Sequence, residues 1–131
     1  MGDLILVVDD NRDNRDLAEI LLEGEGFEVR LAEDAATALR ILQRDRPKLI
    51  LMDIQLPGVD GLELTHRLRQ DPLVRNVPII AFTAYAMEAD KAKARTAGCD
   101  GYISKPIDTR VFVNHIRQYL KAGRACDCLA G

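Results

Sequence analysis

The amino-acid sequence predicts an α/β fold, a doubly wound parallel sheet of five strands with five helices over its two faces. Two observations carry that prediction. Five short apolar runs alternate along the chain with amphipathic segments, the order that generates right-handed crossovers and a parallel sheet. Four of those runs also lack polar alternation, as strands buried on both faces do.

Taken in order, Leu4–Val8 reads as the first strand, and Leu17, Ile20 and Leu21 as the apolar stripe of the first helix. The run Glu28–Ala32 alternates instead, which places it at a sheet edge with one wet face. Ala35, Ala38, Leu39 and Leu42 make the stripe of the second helix, with Asp34 at its N-cap and Pro47 ending it. Residues 49–52 form the third strand, Leu64 and Leu68 a short helical stripe, and residues 78–82 the fourth strand.

The fourth helix, at 87–97 with Gly98 as its C-terminal cap, sets Ala89, Ala92, Ala94 and Ala97 among Asp90, Lys91, Lys93 and Arg95. Alanine favours helix but buries little area, so packing holds this helix weakly; it reads either as a simply solvated helix or as one that shifts readily in switching. Gly101–Ser104 completes the strands. A last helix follows, with Asp108 at its N-cap and Val113, Ile116 and Leu120 on its inner face.

The chain has 131 residues, 47% of them hydrophobic and 30% charged, enough for one packed domain. We place that domain at residues 1–121 and a tail at 122–131, where periodicity is lost. Lys plus Arg is 18 and Asp plus Glu is 21, a net charge of −3. That balance argues against direct nucleic-acid binding. No apolar stretch reaches the roughly 18 residues that span a bilayer, and the start has no basic leader, so no membrane insertion is expected. A myristoylation reading of Gly2 fails because position six is Leu6. Cys99, Cys126 and Cys128 are odd in number and lack framework spacing. A cytoplasmic location is the expectation.

Ligand sites in such sheets form beyond the carboxyl ends of the strands. There the sequence places Asp9 and Asp10 after the first strand, Asp53 after the third, Thr83 after the fourth, and Lys105 followed by Pro106 after the fifth. Three carboxylates held together repel one another unless a cation neutralises them, and a hard divalent ion with oxygen ligands, Mg²⁺ above all, suits the set. The chemistry that fits is phosphoryl transfer to a carboxylate. Asp53 acts as nucleophile, Lys105 offers positive charge to the incoming phosphoryl oxygens, and Thr83 offers a hydroxyl donor.

These residues sit within Val7-Val8-Asp9-Asp10-Asn11, Leu51-Met52-Asp53-Ile54-Gln55-Leu56-Pro57, Asp60-Gly61, Phe82-Thr83-Ala84 and Ser104-Lys105-Pro106. Together, over about residues 4–120, they resemble the CheY-like receiver domain of two-component response regulators. Residues 81–106 most resemble DivK-type single-domain regulators and hybrid-kinase receivers.

The resemblance implies the strand order 2-1-3-4-5 and a phosphoacceptor role for Asp53. It implies Mg²⁺ held by Asp10, Asp53 and the backbone carbonyl of Gln55, with Asp9 acting through water. It implies phosphoryl contacts from Thr83 and Lys105, a small Ala84 that leaves the site open, and a cis Lys105–Pro106 bond. Tyr102 resembles a switch aromatic that turns inward as Thr83 moves, altering the face made by the fourth helix, fifth strand and fifth helix, where a downstream protein would bind. Gln55 and Tyr85 stand at positions that tune phosphoryl lifetime.

Such a protein is a switch and not an enzyme acting on other molecules. The phosphodonor is a histidine kinase or histidine phosphotransfer protein, because His66 and His115 lie away from the rim on solvated helix faces. Arg67, Arg69 and Arg75 read as a solvated face. Two other classes fit less well. A haloacid-dehalogenase-type phosphatase requires an acid two residues after the nucleophile, where Gln55 stands, and a flavodoxin-like flavin phosphate site would be repelled by Asp9, Asp10 and Asp13.

Overall fold

The computed structural model of the chain describes residues 2–54, 61–72, 74–84 and 88–122, and for residues 88–90 the backbone alone. Five strands and five helices alternate: β1 Leu4–Val8, α1 Arg12–Gly24, β2 Glu28–Ala32, α2 Ala35–Arg44, β3 Leu49–Asp53, α3 Gly61–Arg69, β4 Ile79–Thr83, α4 Glu88–Ala97, β5 Gly101–Ser104 and α5 Phe112–Ala122. All strand pairs are parallel, in the order β2-β1-β3-β4-β5. The α5 helix takes in Ala122, while Cys126 and Cys128 lie outside the described residues.

Alternation along the buried strands divides the core into two layers. Leu6, Val8, Ile50, Met52, Ile79 and Ala81 face α2, α3 and α4, meeting Leu42, Leu64, Leu68 and Ala94. Ile5, Val7, Leu49, Leu51, Ile80 and Phe82 face α1 and α5, meeting Ala18, Leu22, Phe112 and Ile116. Strands β1, β3 and β4 are buried on both faces as their composition requires. At the edge, β2 alternates and keeps Glu28 and Arg30 in water.

Three expectations need correction. The fifth run is not buried on both faces: β5 ends the sheet order, so Gly101 and Tyr102 are half-buried and Ser104 is exposed. Ile20 is not on the inner stripe of α1, being 67% exposed while Ala18 and Leu22 are buried. At 3.6 residues per turn Ile20 stands about 200° from both of them, so the three cannot share a face. Asp108 caps a turn and not α5 itself. Its carboxylate accepts from the backbone N–H of Arg110 at 3.0 Å, and its carbonyl accepts from Val111 and Phe112, which brings the chain into a helix that starts four residues later.

Asp34 caps α2 as expected, and Asn11, which the sequence reading did not single out, caps α1. Asn11 accepts from the Asn14 N–H at 3.1 Å at the start of α1, and Asp34 from the Thr37 N–H at 2.8 Å at the start of α2. The hydrogen bonds from Thr37 hold the Asp34 carboxyl below its ordinary pKa. Helix α2 stops at Arg44, ahead of Pro47.

Cys99 follows α4 and is buried against Thr65, whose hydroxyl lies 3.9 Å from the sulfur. Burial pushes its thiol from 9.0 up to about 11. The native state therefore retains a proton that the unfolded chain releases at lower pH, and stability falls as pH rises between those two values. Replacing Cys99 with Ala should flatten urea-derived stability across that window by about 2–3 kcal/mol. An unchanged alkaline slope would refute the assignment.

Candidate functional site

Strand register assembles the site. Val8 pairs with Met52, so Asp9 leaves β1 beside the end of β3, where Asp53 pairs with Phe82. Thr83 pairs with Ser104, and the Lys105 N–H donates to the Thr83 carbonyl at 2.7 Å. Four strand ends thus bring Asp9, Asp10, Asp53, Thr83 and Lys105 to one rim. Alternation puts Asp53 on the sheet face of Leu49 and Leu51, toward α1 and α5, and puts Thr83 and Tyr102 on the opposite face, toward α4.

The carboxylate cluster is unusually buried. Asp9 is fully buried and Asp53 3% exposed, while Asp10 is in water. One ligand oxygen from each of the three lies within 4.8 Å of the others. Lys105 enters this group, its ammonium 2.8 Å from Asp9 Oδ2 and 3.2 Å from Asp53 Oδ2, with the Phe82 ring 4.8 Å below. Burial acts to lower the Lys105 pKa, but the bonds and charges of Asp9 and Asp53 outweigh it and the net shift is upward. The Lys105–Pro106 peptide bond is cis.

Asp9 is further tied down on every side. Its Oδ1 accepts from the Asn11 N–H at 2.8 Å, its Oδ2 faces Asn14 Nδ2 at 3.4 Å, and its carbonyl accepts from Arg15 at 2.8 Å. With those partners and Lys105, Asp9 has little lone-pair capacity left for a direct metal bond. Exposed Asp10 is better placed to hold an ion.

Gly61 closes the rim from the other side. A Cβ there would collide with the Asp53 carbonyl, so only glycine lets α3 begin directly against the end of β3. Its N–H donates to the Ile54 carbonyl at 3.2 Å.

The sequence-derived residues Asp9, Asp10, Asp53, Thr83 and Lys105 therefore converge. Gln55, Leu56, Pro57, Asp60 and Tyr85 lie outside the described residues. Tyr102 is half-buried on β5, with the Lys91 ammonium 4.4 Å over its ring and its carbonyl accepting from the Tyr119 hydroxyl at 3.2 Å. His66 is exposed and His115 half-buried on α5, both off the rim. Arg67 and Arg75 are exposed, but Arg69 is not part of a solvated face. Its side chain is 9% exposed and ion-paired to Asp100 at 2.5 Å. Composition gave no sign of this partner, 31 residues away in sequence. Asn14 and Arg15, which orient Asp9, were also missed; their place one turn into α1 was the available signal.

The fold and the site define a flavodoxin-like α/β protein with an acidic, cation-attracting pocket at the carboxyl ends of its strands. The sequence matches the family described as Response regulator receiver domain over residues 5–117, and the chain belongs to that family of two-component signalling proteins. It is 44% identical over 116 residues to the polar-differentiation response regulator DivK of Brucella anthropi, covering 88% of this chain and 94% of that one. Among solved structures it is similar to a CheY-like response regulator receiver domain protein of Methanospirillum hungatei. The TM-score there is 0.84 at 32% identity, covering 93% of this chain and 96% of that one. It is also similar to the receiver domain of a Pseudomonas aeruginosa sensor histidine kinase, solved with a magnesium ion coordinated in its active site cleft. Here the TM-score is 0.83 at 35% identity, covering 92% and 99%. Among the described residues no helix is long and apolar enough to cross a membrane.

Removing Lys105 would leave two buried carboxylates facing each other. Lys105→Met should cost about 3 kcal/mol of stability in urea titrations, and adding Asp9→Asn should recover part of the loss. A Lys105→Met protein as stable as the parent would show that the cluster is not held by this charge.

Proposed function

We propose that this protein is a phosphorelay response regulator in which Asp53 takes a phosphoryl group from a phosphohistidine of a histidine kinase or histidine phosphotransfer protein. The observation that carries the reading is the buried Asp53 carboxylate, 3.2 Å from the Lys105 ammonium and clustered with Asp9 and Asp10 at the ends of the central strands. A carboxylate oxygen attacks phosphorus, the donor's N–P bond breaks as the new O–P bond forms, and the imidazole regains a proton. The chain catalyses only its own phosphorylation and dephosphorylation.

Asp10 and Asp53 would hold Mg²⁺ directly, with the Gln55 carbonyl as the resemblance implies, and Asp9 would reach the ion through water because its oxygens are already engaged. When bound, the ion offsets the charge of the acid cluster and of the phosphoryl oxygens. Lys105 orients the transferred group from the side of Asp9, and the Thr83 hydroxyl donates to it. Thr83 lies on the same sheet face as Tyr102, so its motion can be passed to the α4/β5/α5 face, where a downstream protein partner reads it.

We place the receiver unit at residues 1–121 and the protein in the cytoplasm. Similarity to DivK and to the receiver of a sensor histidine kinase leaves two readings, a single-domain regulator first and a hybrid-kinase receiver second.

Acetyl phosphate with Mg²⁺ should add one phosphoryl group by intact mass, and Asp53→Asn should abolish the addition. Equal labelling of Asp53→Asn would remove Asp53 as the acceptor. Thr83→Ala should still accept the group but bind a partner with the same affinity in both forms. A preserved affinity difference would count against the switch.

A further inference from the structure

Arg69, the last residue of α3, reaches into the corner where α4 turns into β5. Its Nε donates to the Gly98 carbonyl at 2.9 Å. The same guanidinium donates to the Val77 carbonyl at 2.6 Å, to the Arg75 carbonyl at 3.0 Å, and to the Asp100 carboxylate at 2.5 Å. Asp100 in turn accepts from the Ile79 N–H at 3.0 Å, the first residue of β4. One nearly buried side chain therefore joins four segments: the end of α3, the loop before β4, the start of β4, and the α4–β5 turn. The turn is shaped around it. Gly98 has φ +116°, and a Cβ there would stand 2.7 Å from Arg69 Cγ, so the chain passes directly over the arginine stem.

The described side chains of α4 pack sparsely. Ala94 is its one buried side chain among the described residues, at 4% exposure, with Lys91 resting on the Tyr102 ring. As a crossover helix in a parallel sheet, α4 runs antiparallel to the strands. Its N-terminal end lies at the rim with Thr83, and its C-terminal end lies at the far end of the sheet, at Arg69.

We propose that Arg69 is a positioning residue that pins the C-terminal end of α4, so that the helix moves as a lever from its rim end while the α4–β5 corner stays fixed. Its signalling consequence rests on the phosphoacceptor reading above. A charge-conserving lysine cannot replace it, because the pin depends on a fork that reaches several carbonyls at once. The corner keeps β5 in register, which confines any displacement to the face around Lys91 and Tyr102.

Native-state hydrogen exchange in the unmodified protein tests the pin directly. The Gly98 and Cys99 amides, bonded to the Arg95 and Ala94 carbonyls, should exchange at least about tenfold more slowly than those of Ala92 and Ala94, the reverse of ordinary end fraying. Arg69→Met, and Arg69→Lys alike, should erase that difference while the amides of β1 and β3 keep their rank. Asp100→Asn, a milder change, should reduce it. Equal exchange at both places in the parent, or an unchanged ratio in Arg69→Met, overturns the proposal.

With Mg²⁺ and beryllofluoride, shifts should appear at residues 91–94 and Tyr102 and stop before Gly98 in the parent, and spread through Asp100 in Arg69→Met. Shifts of equal size at both ends in the parent also overturn it. If beryllofluoride leaves no bound ¹⁹F signal, the acceptor reading fails, and the exchange ratio still decides the pin.

Discussion

The constraint on which the upper end of this molecule depends is the presence of two buried carboxylates and one ammonium within hydrogen-bond reach. Asp9 and Asp53 are removed from water by the sheet and by the helices above it. Each alone would be costly there, since a buried charge without a partner is among the most destabilising features a core can contain. Lys105 meets both at 2.8 and 3.2 Å. The arrangement leaves a net negative pocket, because one cation faces two buried anions and a third, Asp10, at the surface. That residual charge gives the site its appetite for a divalent ion.

The same constraint explains why the helices begin where they do. Asp9 can be held only if donors surround it, and the first turns of α1 provide them: the Asn11 N–H, Asn14 Nδ2 and Arg15. The start of α3 must come close to Asp53 for the pocket to be enclosed, and only a residue without a side chain fits at Gly61. Local sequence at two helix starts is thus dictated by the chemistry of residues on neighbouring strands.

Most of the fold was readable because its signals are local. Short apolar runs, the cap at Asp34, and polar residues just beyond each run need no knowledge of distant neighbours. The site was readable for a related reason: in a parallel sheet every strand end points the same way, so residues after the strands must meet. What escaped depends on relations that a linear reading does not hold. Ile20 fits a helical stripe with Leu17 and Leu21, but the buried face of α1 is centred on Ala18 and Leu22, and Ile20 points away from it. The fifth strand looked buried until sheet order put it at an edge. Arg69 looked like one of several surface arginines, and only tertiary structure brings it to Asp100 and four backbone carbonyls.

The two ends of the sheet are therefore built on different principles. At the carboxyl end, charge is incompletely balanced, so the energy of the rim would change on arrival of the cation and phosphoryl group of the proposed reaction. At the opposite end, around Arg69, Asp100 and Gly98, charge is paired and carbonyls are satisfied, so little is gained by rearrangement. Helix α4 spans the two with an alanine-rich body that adds little packing of its own. A helix with one responsive end and one fixed end converts a local electrostatic change into a directed displacement, and weak packing along its length keeps the cost of that displacement low. The composition that makes α4 poor as a structural element is what would suit it to the lever role proposed for it.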